Sequence, residues 1–197
     1  VEPMTVDTIF DLASLTKVVA TTTSIMILVE QGKLRLSDTI GKFIPEILDE
    51  QVKRVTIQQM MTHVSGFAPD FDLKEKWTGR EGMLAALKKE KLRTPPGNKF
   101  VYSDINFITL GEIIWRVSGF ALSDFAKSEV FGPLGDRKTF FDPFKPQIVD
   151  NWVSVPGGVI VELGANRLSD TAPTENIRGQ NSYLGGKFDG NDKAGDA

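Results

Sequence analysis

Length, composition and charge place this chain among ordinary globular proteins and exclude several kinds of site. It has 197 residues, 41% of them hydrophobic, and a net charge of −3 without a basic block, so nothing favours nucleic acid as a partner. It has no cysteine and a single histidine, His63, which excludes disulfides, thiol catalysis and multi-histidine metal sites. We therefore expect no metal or cofactor, and we expect any base that activates a serine to be a lysine, a tyrosine or a carboxylate.

The first predicted helix is long and apolar. Ser14 can cap its start and Gly32 fits its end, so the helix would contain about 18 residues. Apolar residues lie on nearly every side of it, which predicts a helix buried in the middle of the fold. The segment is too short for a membrane span of about 20 apolar residues, and we expect no such span. No basic region precedes it, so it does not read as a secretory signal.

Shorter helices are predicted downstream. One ends near Pro45, and Thr56 can cap another that stops at Gly66. Two more have the sequences REGMLAALKKEKL and LSDFAKSEVFGPLG. The clearest amphipathic helix is SDINFITLGEIIWRVSG, with isoleucines along one face and Gly119 at its end.

The character of the sequence changes near residue 140. Residues 141–197 are rich in Gly, Asn, Asp and Pro, with one strand candidate, GGVIVEL. We interpret residues 1–140 as a helical region and residues 141–197 as an irregular C-terminal segment.

Ser14 and Lys17 form an S-x-x-K pair at the head of the first helix. The serine hydroxyl would lie at the positive end of the helix, with the lysine on the same face one turn later. Burial would lower the pKa of the ammonium and let it accept the serine proton. A serine cap followed by an ordinary lysine explains the same residues, and about one S-x-x-K is expected by chance in a chain of this length.

Tyr102 is a second candidate for chemistry. It lies between a Pro-Pro-Gly turn and the start of a predicted helix, where a tyrosine near a lysine can act as a proton shuttle. A tyrosine that packs half-buried under that helix is the alternative.

Several stretches, in this order, resemble the serine β-lactamase and DD-peptidase superfamily. The similar branch is its class C-like group of carboxylesterases and penicillin-binding-protein-like enzymes. The stretches are TIFDLASLTKVVATTTSIMILVEQGKLRLSDTIGKFIPE, VTIQQMMTHVSGF, PPGNKFVYSDINFITLGEIIWRVSG, FGPLGDRKTFF and APTEN.

The resemblance implies roles for individual residues. Ser14 would be the acylated nucleophile, and its backbone N–H would form half of an oxyanion hole. Lys17 would accept its proton, and Tyr102 would pass the proton to the leaving group. Asp104 stands where the Tyr-x-Asn motif has asparagine, at a substrate-binding position; it can accept from Lys17 but cannot donate an amide N–H. His63 matches a position that is usually structural.

The resemblance also implies a fold. We expect an α+β protein that is predominantly helical, a β-lactamase/transpeptidase-like helical region with a reduced or missing antiparallel sheet. The third motif of the family is absent, since Lys138-Thr139-Phe140 lacks its glycine and KAGDA has Asp196 in place of a histidine. The match looks truncated at both ends. Without the sheet, the first helix would expose an apolar patch, which predicts a homo-oligomer that covers it.

These observations predict a serine hydrolase that forms an acyl-enzyme on Ser14. Its substrate would be a small molecule with an ester, β-lactam or amide carbonyl, and an esterase is favoured over a strong β-lactamase. The alternative is a catalytically silent remnant that serves as a binding or assembly module. The family favours a periplasmic or extracellular location, and the residues alone leave a cytoplasmic one open.

Overall fold

The computed structural model describes residues 12–72, 77, 79–136, 139–142 and 158–161 of the chain. Helices dominate this part. In chain order they are a π-helical segment Lys17–Thr22 that continues into α1 (Thr23–Glu30), α2 (Ile40–Phe43), α3 (Glu50–Lys53), α4 (Ile57–Met61), α5 (Gly79–Lys89), α6 (Asp104–Ser118), and α7 (Leu122–Phe125) with a second π-helical segment, Ala126–Phe131. Two strands follow, β1 (Thr139–Asp142) and β2 (Gly158–Val161).

The first helix is somewhat shorter than predicted and has an unpredicted winding. Its first part, Lys17–Thr22, is π-helical, and α1 ends at Glu30, two residues before the predicted stop at Gly32, whose φ of +68° suits glycine. The N–H of Gly32 donates to the carbonyl of Val29 and that of Lys33 to the carbonyl of Leu28, both at 2.9 Å, which satisfies the last turn.

The expectation that this helix is buried on nearly every side is wrong for the described part of the structure. Ile25 and Leu28 are fully buried, but Leu15 is 58% and Val18 61% exposed. The helix therefore packs on the other helices with one face and leaves an apolar face uncovered.

Helices α2 to α4 are short, and a side chain caps the start of both α3 and α4. Thr56 caps α4 as predicted, in a capping box with Gln59 in which each side chain binds the other residue's backbone N–H. The helix ends at Met61 rather than Gly66, because the chain turns at His63. Helix α3 was not predicted; Asp49 caps it by accepting from two backbone N–H groups.

Helix α6 forms the centre of the molecule. Every residue from Ile105 to Ile114 is buried, and the helix contacts α1, α2, α4 and α7. It ends at Gly119, as the sequence predicts, in a left-handed conformation. This helix positions the tyrosine motif, because residues 102–104 lead directly into its first turn.

A buried carboxylate lies in the middle of α6. Glu112 has no exposed surface and accepts hydrogen bonds from Arg80 at 2.6 and 2.8 Å and from Arg116 at 2.5 Å. Arg116 also bonds to Glu46 and donates to the carbonyl of Phe43 at 3.0 Å. These charges join α5, α6 and the end of α2.

The strands β1 and β2 pair antiparallel, with Thr139 opposite Val161 and Asp142 opposite Gly158. The strand candidate GGVIVEL is thus confirmed over Gly158–Val161, whereas β1 was not predicted and crosses the proposed boundary at residue 140. The predicted α+β class with a reduced sheet stays a prediction, since most of residues 141–197 lie outside the described residues.

None of the described helices is by itself long and apolar enough to span a bilayer. Helix α6 reaches that length and apolar composition only when it is taken together with Leu122–Phe131, from which it is separated by a bend of 68°.

Candidate active site

Ser14 lies at the very start of the first helix. The residue before it, Ala13, has a φ of +44°, a left-handed conformation that residues with a side chain adopt at a cost. The carbonyl of Ser14 accepts the backbone N–H of Lys17 at 3.1 Å, so the helical turn begins here. A strained backbone next to a candidate nucleophile is typical of functional sites.

Lys17 brings the predicted site residues together. Its side chain is only 3% exposed, and its Nζ donates to Ser14 Oγ at 3.1 Å. The same Nζ lies 2.8 Å from Oδ1 of Asp104 and 5.3 Å from the centre of the Tyr102 ring. One ammonium group thus contacts all three other residues that were singled out from the sequence.

The charge of Lys17 differs from the expectation. Burial lowers the pKa of the ammonium, as expected, but the hydrogen bond and charge of Asp104, with a smaller contribution from Tyr102, outweigh it and raise the pKa above its ordinary value. The prediction of a lowered pKa is therefore wrong. Lys17 is a cation in the resting site, because its carboxylate partner comes from another helix that the S-x-x-K spacing does not reveal.

Hydrogen bonds to backbone carbonyls hold the tyrosine motif against the loop of residues 63–69. The hydroxyl of Ser103 donates to the carbonyl of Ala68 at 2.5 Å, and the N–H of Asp104 donates to the carbonyl of Pro69 at 2.7 Å. Asp104 is the first residue of α6, where the helix dipole stabilises a negative charge. Tyr102 itself is 44% exposed and so borders the solvent side of the site.

His63, at a position that the resemblance implies is usually structural, packs beside the tyrosine motif. Its Nδ1 accepts the backbone N–H of Ser103 at 3.1 Å, and its ring centre lies 4.6 Å from that of Tyr102. Burial and the nearby Lys17 cation lower the pKa of His63, and Asp104 opposes them only in part. The sequence places His63 in a stretch, THVSG, that is typical of a turn. Nothing in that stretch predicts a contact between His63 and Tyr102.

The residues that resemble the absent third motif in part fall at the edge of the described structure or beyond it. Lys138 and Asp196 lie outside the described residues, and Thr139 belongs to β1. Across residues 12–72 and 79–136, together with the short described pieces, no group of three or more potential ligands could hold a metal ion.

Comparison with protein-family models identifies the family of the chain. The model described as Beta-lactamase matches residues 1–167, which is most of the chain. The chain belongs to the Beta-lactamase family. The resemblance inferred from the motifs is therefore confirmed at the level of the family.

Relatives of this Beta-lactamase family member are considerably longer. A Salmonella agona protein whose assigned name is D-alanyl-D-alanine carboxypeptidase is 32% identical over 152 residues, which cover 71% of this chain but 35% of that protein. The chain thus spans about a third of the length of the curated relatives it matches.

Solved structures show the same fold. A D-amino acid amidase from Ochrobactrum anthropi, complexed with L-phenylalanine amide, matches with 26% identity and a TM-score of 0.60 over 73% of this chain and 41% of its own. A beta-lactamase/D-alanine carboxypeptidase from Yersinia pestis, complexed with citrate, matches with 20% identity and a TM-score of 0.62 over 79% of this chain and 51% of its own. The helical region described here therefore has the β-lactamase fold.

Proposed function

We propose that the protein is a serine hydrolase that forms an acyl-enzyme on Ser14. One observation carries the proposal: the buried Nζ of Lys17 lies within hydrogen-bond distance of both Ser14 Oγ and Asp104 Oδ1 and beside the Tyr102 ring. A nucleophile in contact with a group that can take its proton, itself oriented by a third group, is the arrangement that nucleophilic catalysis requires.

The proposed reaction has two halves. Ser14 Oγ attacks a substrate carbonyl while its proton passes to Lys17, and the backbone N–H of Ser14 supports the oxyanion. The tetrahedral intermediate collapses as Tyr102 delivers its proton to the departing alcohol or amine and takes in return the proton that Lys17 holds, which leaves an ester on Ser14. Water then attacks that ester and gives a proton to the neutral Lys17, the acid is released, and the proton passes from Lys17 back to Ser14 Oγ.

The ion pair with Asp104 sets the condition for this chemistry. Lys17 has to lose its proton before it can accept another, and Asp104 stabilises the protonated form. The fraction of molecules ready for attack therefore increases with pH. In this proposal Asp104 acts on the substrate indirectly, by holding Lys17 in place, because its Oδ1 is already engaged by the ammonium.

The substrate class follows from chemistry at Asp104 and from the relatives. A carboxylate at this position cannot donate an amide N–H to a β-lactam, which favours simple esters and amides. The names of the Salmonella and Ochrobactrum relatives refer to D-alanyl-D-alanine and to D-amino acid amides. We therefore propose p-nitrophenyl esters and D-amino acid amides as the substrates to try before penicillins.

The decisive experiment is covalent labelling. The protein is incubated with a fluorophosphonate or a labelled penicillin, and the modified residue is located by mass spectrometry. We expect added mass at Ser14, loss of labelling and ester turnover in Ser14→Ala, and loss of turnover in Lys17→Ala. Ser37→Ala, which changes an exposed serine far from the π-helical segment in sequence, is the matched control and should label normally.

Two outcomes would contradict the proposal. Turnover that survives in Ser14→Ala would remove the nucleophile. A folded protein that no reagent labels at Ser14, while a full-length relative reacts, would favour a catalytically silent binding or assembly module.

A further inference from the structure

We propose that His63 is a positioning residue that holds the Tyr102 phenol in the site, and that it does so only as a neutral imidazole with its proton on Nε2. The inference rests on the proposed function, because it assigns His63 a part in presenting Tyr102 for proton transfer. It concerns the contacts of His63 with both neighbours of Tyr102 and with its ring.

The main chain is held on both sides of Tyr102. The carbonyl of His63 accepts the N–H of Val101 at 2.8 Å, and Nδ1 of His63 accepts the N–H of Ser103 at 3.1 Å. One residue thus fixes positions 101 and 103, which leaves the residue between them little freedom. His63 has a φ of +57°, and both its carbonyl and its ring contact residues 101–103.

The ring of His63 packs against the ring of Tyr102. The two ring centres are 4.6 Å apart with their planes inclined by 33°, and the ring centre of Phe107 in α6 lies 5.1 Å from that of His63. Because 44% of Tyr102 is exposed, its imidazole contact is a large part of what orients the phenol.

The turn that presents His63 is itself fixed. The N–H of Gly97 donates to the carbonyl of Val64 at 2.7 Å. At Gly66, a Cβ atom would lie 2.1 Å from the carbonyl oxygen of Thr94, so only glycine allows this approach. The turn and the segment that leads to Tyr102 therefore behave as one unit.

The hydrogen bonds define the protonation state of His63. The backbone N–H of Ser103 is a donor, as is the Asn106 amide nitrogen 3.3 Å from Nδ1, so Nδ1 has to present its lone pair and the ring proton lies on Nε2. A second proton would place an N–H of the ring against the N–H of Ser103. The charged and titratable groups that face the ring are Lys17, Asp104 and Tyr102.

The environment favours the required state at neutral pH. Burial lowers the pKa of His63, the Lys17 cation lowers it further, and Asp104 raises it in part. A histidine whose pKa is lower in the folded than in the unfolded protein contributes its full stability above about pH 6.5, and that contribution is lost as the pH falls through the folded pKa. Acid should therefore release Tyr102 as His63 becomes protonated.

A single-histidine protein allows a direct test by NMR. With tag-free ¹⁵N-labelled protein, the imidazole nitrogen shifts of His63 report both tautomer and titration without assignment ambiguity, since the chain has no other histidine. We expect the Nε2–H tautomer and a midpoint below about 6.5. The Nδ1–H tautomer, or a midpoint at or above that value, would overturn the proposal.

Variants test whether the contact matters for catalysis. His63→Asn keeps an acceptor at the place of Nδ1 and tolerates a positive φ, whereas His63→Ala has no acceptor. We expect kcat for a p-nitrophenyl ester to fall about 100-fold in His63→Ala, with little change in KM, the scale for a misplaced catalytic group. In His63→Asn most of kcat should return, and the loss of kcat at acid pH that His63 causes should disappear.

A neighbouring residue supplies the control. Thr62→Ala removes an exposed hydroxyl that donates to the carbonyl of Gln58, so its pH profile should match the parent. If His63→Asn is as impaired as His63→Ala, or keeps the additional fall in kcat that the parent shows near the midpoint measured for His63, beyond the fall that protonation of Lys17 causes in both proteins, the positioning role is overturned. Absence of Ser14 labelling in the parent protein would overturn the proposed function as well, whereas the wrong tautomer overturns only the role of His63.

Discussion

Among the individual residues, Lys17 combines near-complete burial with a full charge, and Asp104 explains how it does so. The i, i+3 spacing correctly predicted that Lys17 would lie beside Ser14, because these positions are neighbours on a helix. The same spacing could not predict the sign of the pKa change, since Asp104 begins α6 and reaches Lys17 only in the folded chain. The contact between Tyr102 and His63 likewise forms only in the folded chain, because the two residues are far apart in the sequence.

Asp104→Asn should move the pH dependence of Ser14 acylation to lower pH. Without the carboxylate, burial is left as the main influence on Lys17 and lowers its pKa, so the amine becomes available earlier. We expect the half-maximal rate to shift down by about 1 to 3 pH units, the usual scale for loss of an opposite charge. Stopped-flow acylation across pH would measure it.

Asp38→Asn is the matched control, because Asp38 pairs with Lys42 at 2.7 Å on the surface. Its acylation profile should overlay that of the parent. An unchanged profile in Asp104→Asn would show that Asp104 does not govern the charge of Lys17. The interactions that raise the pKa of Lys17 also stabilise the fold. This stabilisation is fully present below about pH 10.4 and is lost as the pH rises through the pKa of Lys17 in the folded protein.

At the scale of elements, helices with clear local signals were predicted well. Helix starts and ends depend on few neighbouring residues. Thr56 with Gln59 is such a start signal, and Gly32 and Gly119 are end signals. Helix α3 has only four residues, too few for a periodic pattern. The π-helical winding at Lys17–Thr22 was not predicted either, because it changes the register of the backbone and not the apolar composition.

Helix α6 carries a charge that its apolar pattern does not predict. Glu112→Gln should destabilise the protein by about 3 kcal/mol, the low end for breaking a buried ion pair, since Arg80 and Arg116 retain some contact with solvent. Urea unfolding followed by circular dichroism would measure the free energy of unfolding. Glu50→Gln removes an exposed carboxylate paired with Lys53, and should change it by less than about 0.5 kcal/mol. Equal effects of the two substitutions would contradict this account.

For the whole molecule, the uncovered face of the first helix is the feature that the described residues leave unexplained. Its exposed apolar side chains are Leu15, Val18, Val19 and Met26. An apolar face of this kind is typical of an interaction surface. The homo-oligomer predicted from the sequence would cover it, and it stays a prediction.

Light scattering over a range of protein concentrations tests that prediction. We expect the apparent mass to increase with concentration in the parent and to increase less in Met26→Lys, which places a charge on the apolar face. Leu48→Lys changes another exposed apolar residue, away from this face in sequence, and should behave as the parent does. A parent protein that remains monomeric throughout would contradict self-association.

The π-helical segment has a consequence for how such a chain can vary. Each π turn holds roughly one residue more than an α turn, so an in-frame loss of one codon within Lys17–Thr22 would leave an uninterrupted α-helix. The apolar residues of α1 could then keep their places among the other helices, while everything before the deletion rotated by about 100° around the axis. The architecture would survive the deletion while Ser14, the proposed nucleophile, faced elsewhere, so the loss of a single codon could remove the proposed reactive centre and leave the fold intact.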